Sequence, residues 1–244
     1  ADRWLTEPIE AACRAGGSTM YVNGIDPGFS GDLLALAALS LTARADTITV
    51  QEICDYGSYD DAEFTGASMG FGQPPEHLPL LFHPGVMTSI WGGPVRLLAD
   101  ELGVEIEEFR ERYERWTAVE PIECTMMRVE PGCVAAVRLA VEGIVGGEPR
   151  IVMEHVNRLT AAAAPDWPVA PDGKPGVHRV VVTGNPGIEI NTHCGLGLMD
   201  HNTAGVVATA AKVINAIPAV CAAPPGLVSL RDLPVAQVQG LLFP

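Results

Sequence analysis

Positive charge is scarce in this sequence: 15 Lys and Arg stand against 30 Asp and Glu in 244 residues, a formal net charge of -15. A nucleic-acid or anionic-membrane binder needs a positive face, so the balance argues against either partner. Long apolar runs are missing as well. No stretch of about 18 uncharged apolar residues occurs, and the longest candidate, residues 204–223, is interrupted by Lys212, Asn215 and Pro218. No membrane span is expected. Paired cysteines are also absent: Cys13, Cys54, Cys124, Cys133, Cys194 and Cys221 lie far apart with no C-x-x-C. Free thiols in a reducing cytoplasm are the expectation, and the first five residues lack the basic and apolar parts of a secretory signal.

Stand-alone catalytic motifs are missing too. There is no G-x-S-x-G, no H-E-x-x-H and no G-x-x-x-x-G-K-[ST]. Gly195-Leu196-Gly197 is a bare G-x-G, and the six histidines do not sit at metal-ligand spacing, so no metal is expected. What remains is a foldable chain. Hydrophobic residues make up 48% and charged residues 18%, which excludes a disordered composition.

The pattern predicts an α+β fold: a mostly antiparallel or mixed sheet with helices on one face. A helix over residues 6–14 has Thr6 as N-cap and Pro8 in its first turn. A strand at 18–22 feeds the loop 23–29, and Ser30 caps a buried apolar helix. Residues 46–53 alternate as a strand, 55–94 are loop-rich, and 94–102 and 105–116 read as helices. Strands follow at 121–130, 133–145, 149–160, 177–183 and 187–192, with turns that suggest consecutive antiparallel pairing. A small-residue helix over 202–216 ends at Pro218.

Four stretches carry chemistry. The loop Asn23-Gly24-Ile25-Asp26-Pro27-Gly28-Phe29 leaves a strand and enters a helix, a turn that points backbone N–H groups at whatever sits above the strand. Residues 51–61 bring acids and two tyrosines, Tyr56 and Tyr59, off a strand end. Residues 153–158 form a strand polar on both faces, with Glu154, Val156 and Arg158 on one side and Met153, His155 and Asn157 on the other. In the last helix, Asn215 is an amide in an apolar turn, and it wants a partner.

Asn23-Gly-Ile-Asp-Pro-Gly-Phe29, Phe71-Gly-Gln-Pro74 and Val213-Ile-Asn-Ala-Ile-Pro-Ala-Val220 with Pro224-Pro-Gly226 resemble the amine dehydrogenase and 2,4-diaminopentanoate dehydrogenase-like family, related to dihydrodipicolinate reductase. The resemblance covers nearly the whole chain. It implies an NAD(P)-dependent oxidoreductase acting on a C–N or C=O centre of a small amine or carbonyl substrate. It also implies a preceding Rossmann domain, which holds the dinucleotide fingerprint and the catalytic residue upstream of Ala1. Residues 1–24 would then be the remnant of that domain, 25–200 the substrate and dimerisation domain, and 201–244 a helix and tail packing back toward it. Asn23, Gly24, Pro27, Gly28 and Asn215 are the expected cofactor contacts. Asp26, Phe29, Tyr56, Tyr59 and His155 are the expected substrate contacts. Many relatives carry Asn where this chain has Asp26. NAD and NADP are both open, a homodimer built on the sheet is expected, and these 244 residues alone are expected to be inactive. The alternative is a non-catalytic dimerisation or small-ligand-binding domain.

Overall fold

The computed structural model describes residues 3–197 and 199–240, with backbone alone for residues 3–5. Helix α1 (Arg3–Gly16) begins before Thr6 and carries Pro8 inside it, so Thr6 is not the N-cap. Strand β1 (Thr19–Tyr21) leads into loop 23–29, whose Asp26–Pro27 peptide is cis. A turn of π-helix (Ser30–Leu34) then runs on into α2 (Ala35–Leu39). Ser30 does not cap it. Its hydroxyl donates back to the Ile25 carbonyl at 3.1 Å from within the first turn, closing the loop onto itself.

Strand β2 (Arg44–Asp55) is followed by a π-turn at Ala62–Gly66, capped by Asp61, and by α3 (Ala67–Met69). Helix α4 (Val86–Leu102) begins eight residues ahead of the expected start at Pro94 and passes through it. Where a helix was expected over 105–116 lies β3 (Glu108–Thr117). Its Glu and Arg residues favour helix locally, but Phe109 and Tyr113 fall on one face and Arg112 and Trp116 on the other. Pairing with the next long strand decides between the two. The strand expected over 121–130 is broken into a small hairpin, β4 (Ile122–Glu123) and β5 (Arg128–Val129). Strands β6 (Val134–Val145), β7 (Glu148–Arg158), β8 (Gly176–Asn185) and β9 (Ile188–Thr192) follow. Helix α5 (His201–Ala222) does not stop at Pro218 but continues one more turn, and β10 (Gly226–Val228) closes the fold.

The six-stranded sheet has the order β3-β6-β7-β2-β8-β9. Consecutive pairing holds for β6 with β7 and β8 with β9, but β2 inserts between β7 and β8, parallel to the first and antiparallel to the second. Such an insertion is invisible to turn reading, because β2 is 93 residues from the β7 start (148 minus 55). Helices α2 and α4 cover one sheet face, where Ile48, Val95, Leu98, Val137 and Val141 are fully buried. Each contributes about 1.5–3 kcal/mol by leaving water. On the other face, residues 159–175 fold back over Ile53, Val156 and Val177, tied by Arg158 to the Ala163, Ala164 and Pro168 carbonyls.

A second unit is small: β1 and β10 pair in parallel, and Glu10 of α1 accepts the Leu227 N–H. Helix α5 packs beside it. The expectation that no segment is suited to a membrane needs correction by length and composition alone, since α5 spans 22 residues and holds an 18-residue stretch of mean hydropathy 1.6, 11% of it buried. Pro218 does not break it. The helix is nonetheless joined to the globular fold, through Asp200 at its N-cap and through the Asn23 amide, which donates to the Lys212 carbonyl at 2.7 Å. All six cysteines are free.

Candidate active-site cleft

Loop 23–29 sits where β1, α5 and the helix-covered face of the sheet converge. Its compactness depends on glycine. Gly28 has φ +130°, and a Cβ there would lie 2.3 Å from the Gly24 nitrogen and 2.9 Å from Asn23 Oδ1. At Gly24 a Cβ would press on the Pro27 carbonyl at 3.2 Å and on Thr209 of α5 at 3.3 Å. The loop is thereby fixed against the helix on one side and the sheet on the other.

Under the loop lies a buried chain of ionisable groups. His155 Nε2 is 3.0 Å from Asp26 Oδ2, and its Nδ1 is 3.7 Å from Glu52 Oε1. Asp26 and Glu52 flank the ring, whose other side packs on Trp91 of α4 with ring centres 4.5 Å apart. Register makes this arrangement: β2 and β7 run in parallel with Glu52 directly beside His155, and β8 places His178 on the other side of Glu52. Tyr56 Oη and Asn157 Nδ2 each donate to Glu52 Oε1 at 2.9 Å. Burial alone would push the His155 pKa down, but the Asp26 and Glu52 carboxylates raise it to about 10. Burial would likewise raise Glu52, yet His155 first, and the Asn157 amide with it, hold it well below the usual carboxylate range. Burial and then Glu52 push the Tyr56 phenol well up, so it stays a neutral donor.

Asp26, Glu52 and His155 are the described residues whose ligand-type atoms cluster, all within 4.8 Å. The 3.0 Å contact is hydrogen-bonding distance and leaves no space for an ion between Asp26 and the ring. The group is an imidazolium between carboxylates.

Beside this chain opens a cleft of about 320 Å³, lined by Glu52, Tyr56, Tyr59 and His178 from the sheet side and by Gly205 and Thr209 from α5. The two tyrosine rings stand 5.0 Å apart. His201 and Asn202 close one end, both bonded to the Asp55 carbonyl. A separate groove of about 300 Å³ runs between β1 and α5 past Tyr21, Asn23, Val213 and Ala216. Several buried polar atoms here have no partner: Asn23 Oδ1, Asp26 Oδ1, Asn157 Oδ1 and His178 Nδ1.

The residues singled out from sequence therefore divide. Tyr56 and Tyr59 line the cleft; Asp26 and His155 pair with each other behind it. Phe29 packs against the main core. Asn23, Gly24, Pro27 and Gly28 form one loop touching α5, and Asn215 is half-buried one turn beyond Lys212. Sequence reasoning missed Glu52 and His178 as individual residues. Glu52 stood inside the polar stretch leaving β2, but only the register shows that its side chain faces the cleft.

The profile of the 2,4-diaminopentanoate dehydrogenase C-terminal domain matches residues 29–240. An amine dehydrogenase of Streptomyces virginiae is 38% identical over 237 residues, covering 97% of this chain and 66% of that protein. A 2,4-diaminopentanoate dehydrogenase of Acetoanaerobium sticklandii is 24% identical, covering 96% of this chain and 62% of its own length. A solved structure of an amine dehydrogenase from Mycobacterium smegmatis superposes with a TM-score of 0.71 at 18% identity, over 96% of this chain and 64% of that one, a likeness of fold. The chain thus spans between 62% and 66% of the length of these relatives.

Proposed function

Because the chain belongs to the 2,4-diaminopentanoate dehydrogenase C-terminal domain family, we propose that it forms the substrate-binding part of an NAD(P)-dependent amine dehydrogenase. The observation that carries the reading is the cleft itself. It offers an ionised carboxylate and two tyrosines, a setting for a small organic cation.

The nicotinamide end of a dinucleotide fits loop 23–29. Gly24 and Gly28 let the loop fold tightly on itself and against Thr209, and the orphaned Asn23 Oδ1 is an acceptor suited to a carboxamide N–H. When bound, the nicotinamide supplies the hydride acceptor for the carbon bearing the amine. The chain's own residues orient and exclude water: α5 walls the cleft, Tyr56 and Tyr59 bracket it, and His155 braces its floor. Pyrophosphate and ribose have no G-x-G-x-x-G turn among these residues, so in this reading a nucleotide-binding segment outside them holds that half of the cofactor. The chain works in a cytoplasmic homodimer built on the sheet, two-fold pairing being the commonest assembly of soluble chains.

Two measurements test it. The full-length protein, assayed with primary amines and either NAD or NADP, is expected to reduce the cofactor; no reduction across a broad amine panel rejects the activity. Calorimetry on the 244-residue chain is expected to give millimolar or weaker cofactor binding, on the order of -4 kcal/mol. Micromolar affinity would place the nucleotide site within these residues and reject the division of labour.

A further inference from the structure

We propose that Glu52 grips the cationic nitrogen of the substrate, with His155, Tyr56 and Asn157 holding its carboxylate in place; this rests on the amine reading above. Three observations carry it. First, the two oxygens of Glu52 are used unequally. Oε1 takes the Tyr56 hydroxyl and the Asn157 amide, while the ring nitrogen beside Oε2, His178 Nδ1, stands 3.9 Å away, beyond hydrogen-bonding reach.

Second, His178 is itself short of a partner. Its side chain is 9% exposed, its Nδ1 makes no hydrogen bond, and it lines the cleft with Glu52. With the ring proton on Nε2, His178 offers Nδ1 as an acceptor, and a group seated against both atoms then donates to a carboxylate oxygen and to an imidazole nitrogen. An alkylammonium has three donors and no acceptor, and it matches that pair. Third, charge does not close. Asp26 and Glu52 bring two negative charges and His155 one positive, and a His178 ring that accepts through Nδ1 is neutral, so the cluster holds one uncompensated negative charge in a low-dielectric site. A ligand cation cancels it. The carbon chain of the ligand then lies along Tyr56, Tyr59 and the Gly205–Thr209 face of α5.

The test is a titration of the 244-residue chain with n-butylammonium and, at matched ionic strength, with 1-butanol as its neutral isostere, read by NMR shift changes. The cation is expected to bind about tenfold more tightly than the alcohol, the size of one charge-assisted hydrogen bond. Glu52→Gln is expected to abolish that preference. Gly205→Phe fills the cleft from a position where an added Cβ meets nothing within 4 Å, and it is expected to weaken both ligands. Equal binding of cation and alcohol by the unaltered chain overturns the proposal, as does a preference that survives in Glu52→Gln. Should Glu52→Gln not fold, an undiminished cation preference in Gly205→Phe places the binding elsewhere and overturns it equally. Amine oxidation by the full-length protein with an unchanged KM in Glu52→Gln sinks the grip and leaves the activity standing. Glu52-dependent cation binding without any amine oxidation does the reverse.

Discussion

Glu154 and His155 are neighbours on β7, and they face opposite sides of one sheet into two polar clusters of different kinds. Around Glu154 everything is matched. Arg138 Nε donates to one of its oxygens at 2.9 Å and the Gln51 amide donates to the other. Gln51 Oε1 in turn accepts from Arg179 at 2.8 Å, and Arg112 donates to Glu142 at 2.8 Å on the same face. Around His155 the accounting stays open: Asp26 Oδ1, Asn157 Oδ1 and His178 Nδ1 are buried with nothing bound to them. A closed ladder is a structural device. Buried groups left without partners cost stability, and such a cost is retained where a ligand or water completes the set. The contrast, more than the polarity of the strand, separates scaffold from site.

The largest expected effect lies in the pH dependence of stability. His155 is faced by Asp26 from the loop, by Glu52 from β2, by Trp91 from α4 and, across Glu52, by His178 from β8. Its pKa is raised to about 10 in the folded chain, from an ordinary value of about 6.5. A raised pKa contributes stability that is complete below the unfolded value and lost as pH climbs through the folded one. Denaturant unfolding is therefore expected to show stability falling between about pH 6.5 and about pH 10, by at most about 5 kcal/mol. Asp26→Asn removes one of the two carboxylates and is expected to shrink the fall and move it to lower pH. A flat profile over that window would show that His155 is no imidazolium, and the two faces of β7 would then differ less than their contacts suggest.

Much of this sheet was legible in the sequence, and the reasons are local. β6, β7 and β8 are rich in valine and isoleucine, and Gly146 and Gly147 take the φ values of +62° and +76° that a tight hairpin turn demands. Loop 23–29 announced itself as a strand-to-helix turn through its two glycines. What failed was non-local. Residues 105–116 carry good helix formers, and only the ladder with β6 makes 108–117 a strand. Pro218 ends a helix in most readings, yet α5 accommodates it near its last turn. The site shows the same division. Its loop and tyrosines could be named in advance, but Asp26 meets His155 across 129 residues, and Glu52 meets it through the insertion of β2 into the sheet. No spacing in the chain encodes that meeting.

The closed ladder offers the next test. Arg138→Ala leaves the Glu154 carboxylate, 5% exposed, with Gln51 as its remaining donor. Breaking a buried pair from one side costs about 3–5 kcal/mol, and the 26% exposure of Arg138 lets water soften that toward the lower end. Urea unfolding is expected to show the loss while n-butylammonium binding stays as it was. Unchanged stability would mean that the ladder is held by something else, and altered cation binding would mean that the two faces are coupled through β7.

The smallest effect on stability, and the one that most sharpens the line between scaffold and site, is expected at Asn215. An amide in the apolar part of a helix is either a structural cap or a contact waiting for a ligand. Asn215 is half-buried on α5, well inside a helix that ends at Ala222, and its side chain makes no hydrogen bond with the described residues. A cap would sit at the helix end and bond the backbone, which Asn215 does not do. Its neighbours on the helix point the other way: Lys212, one turn earlier, gives its carbonyl to Asn23, and Ala216 faces the groove beside β1. Asn215→Leu removes no bond and leaves no buried group unpaired, so its cost falls within the range of about ±0.5 kcal/mol typical of such positions. In the full-length protein the same substitution is expected to raise the KM for the nicotinamide cofactor severalfold while leaving the melting temperature in place. A loss of several kcal/mol with unchanged cofactor affinity would assign Asn215 to the scaffold and move the cofactor contact off α5.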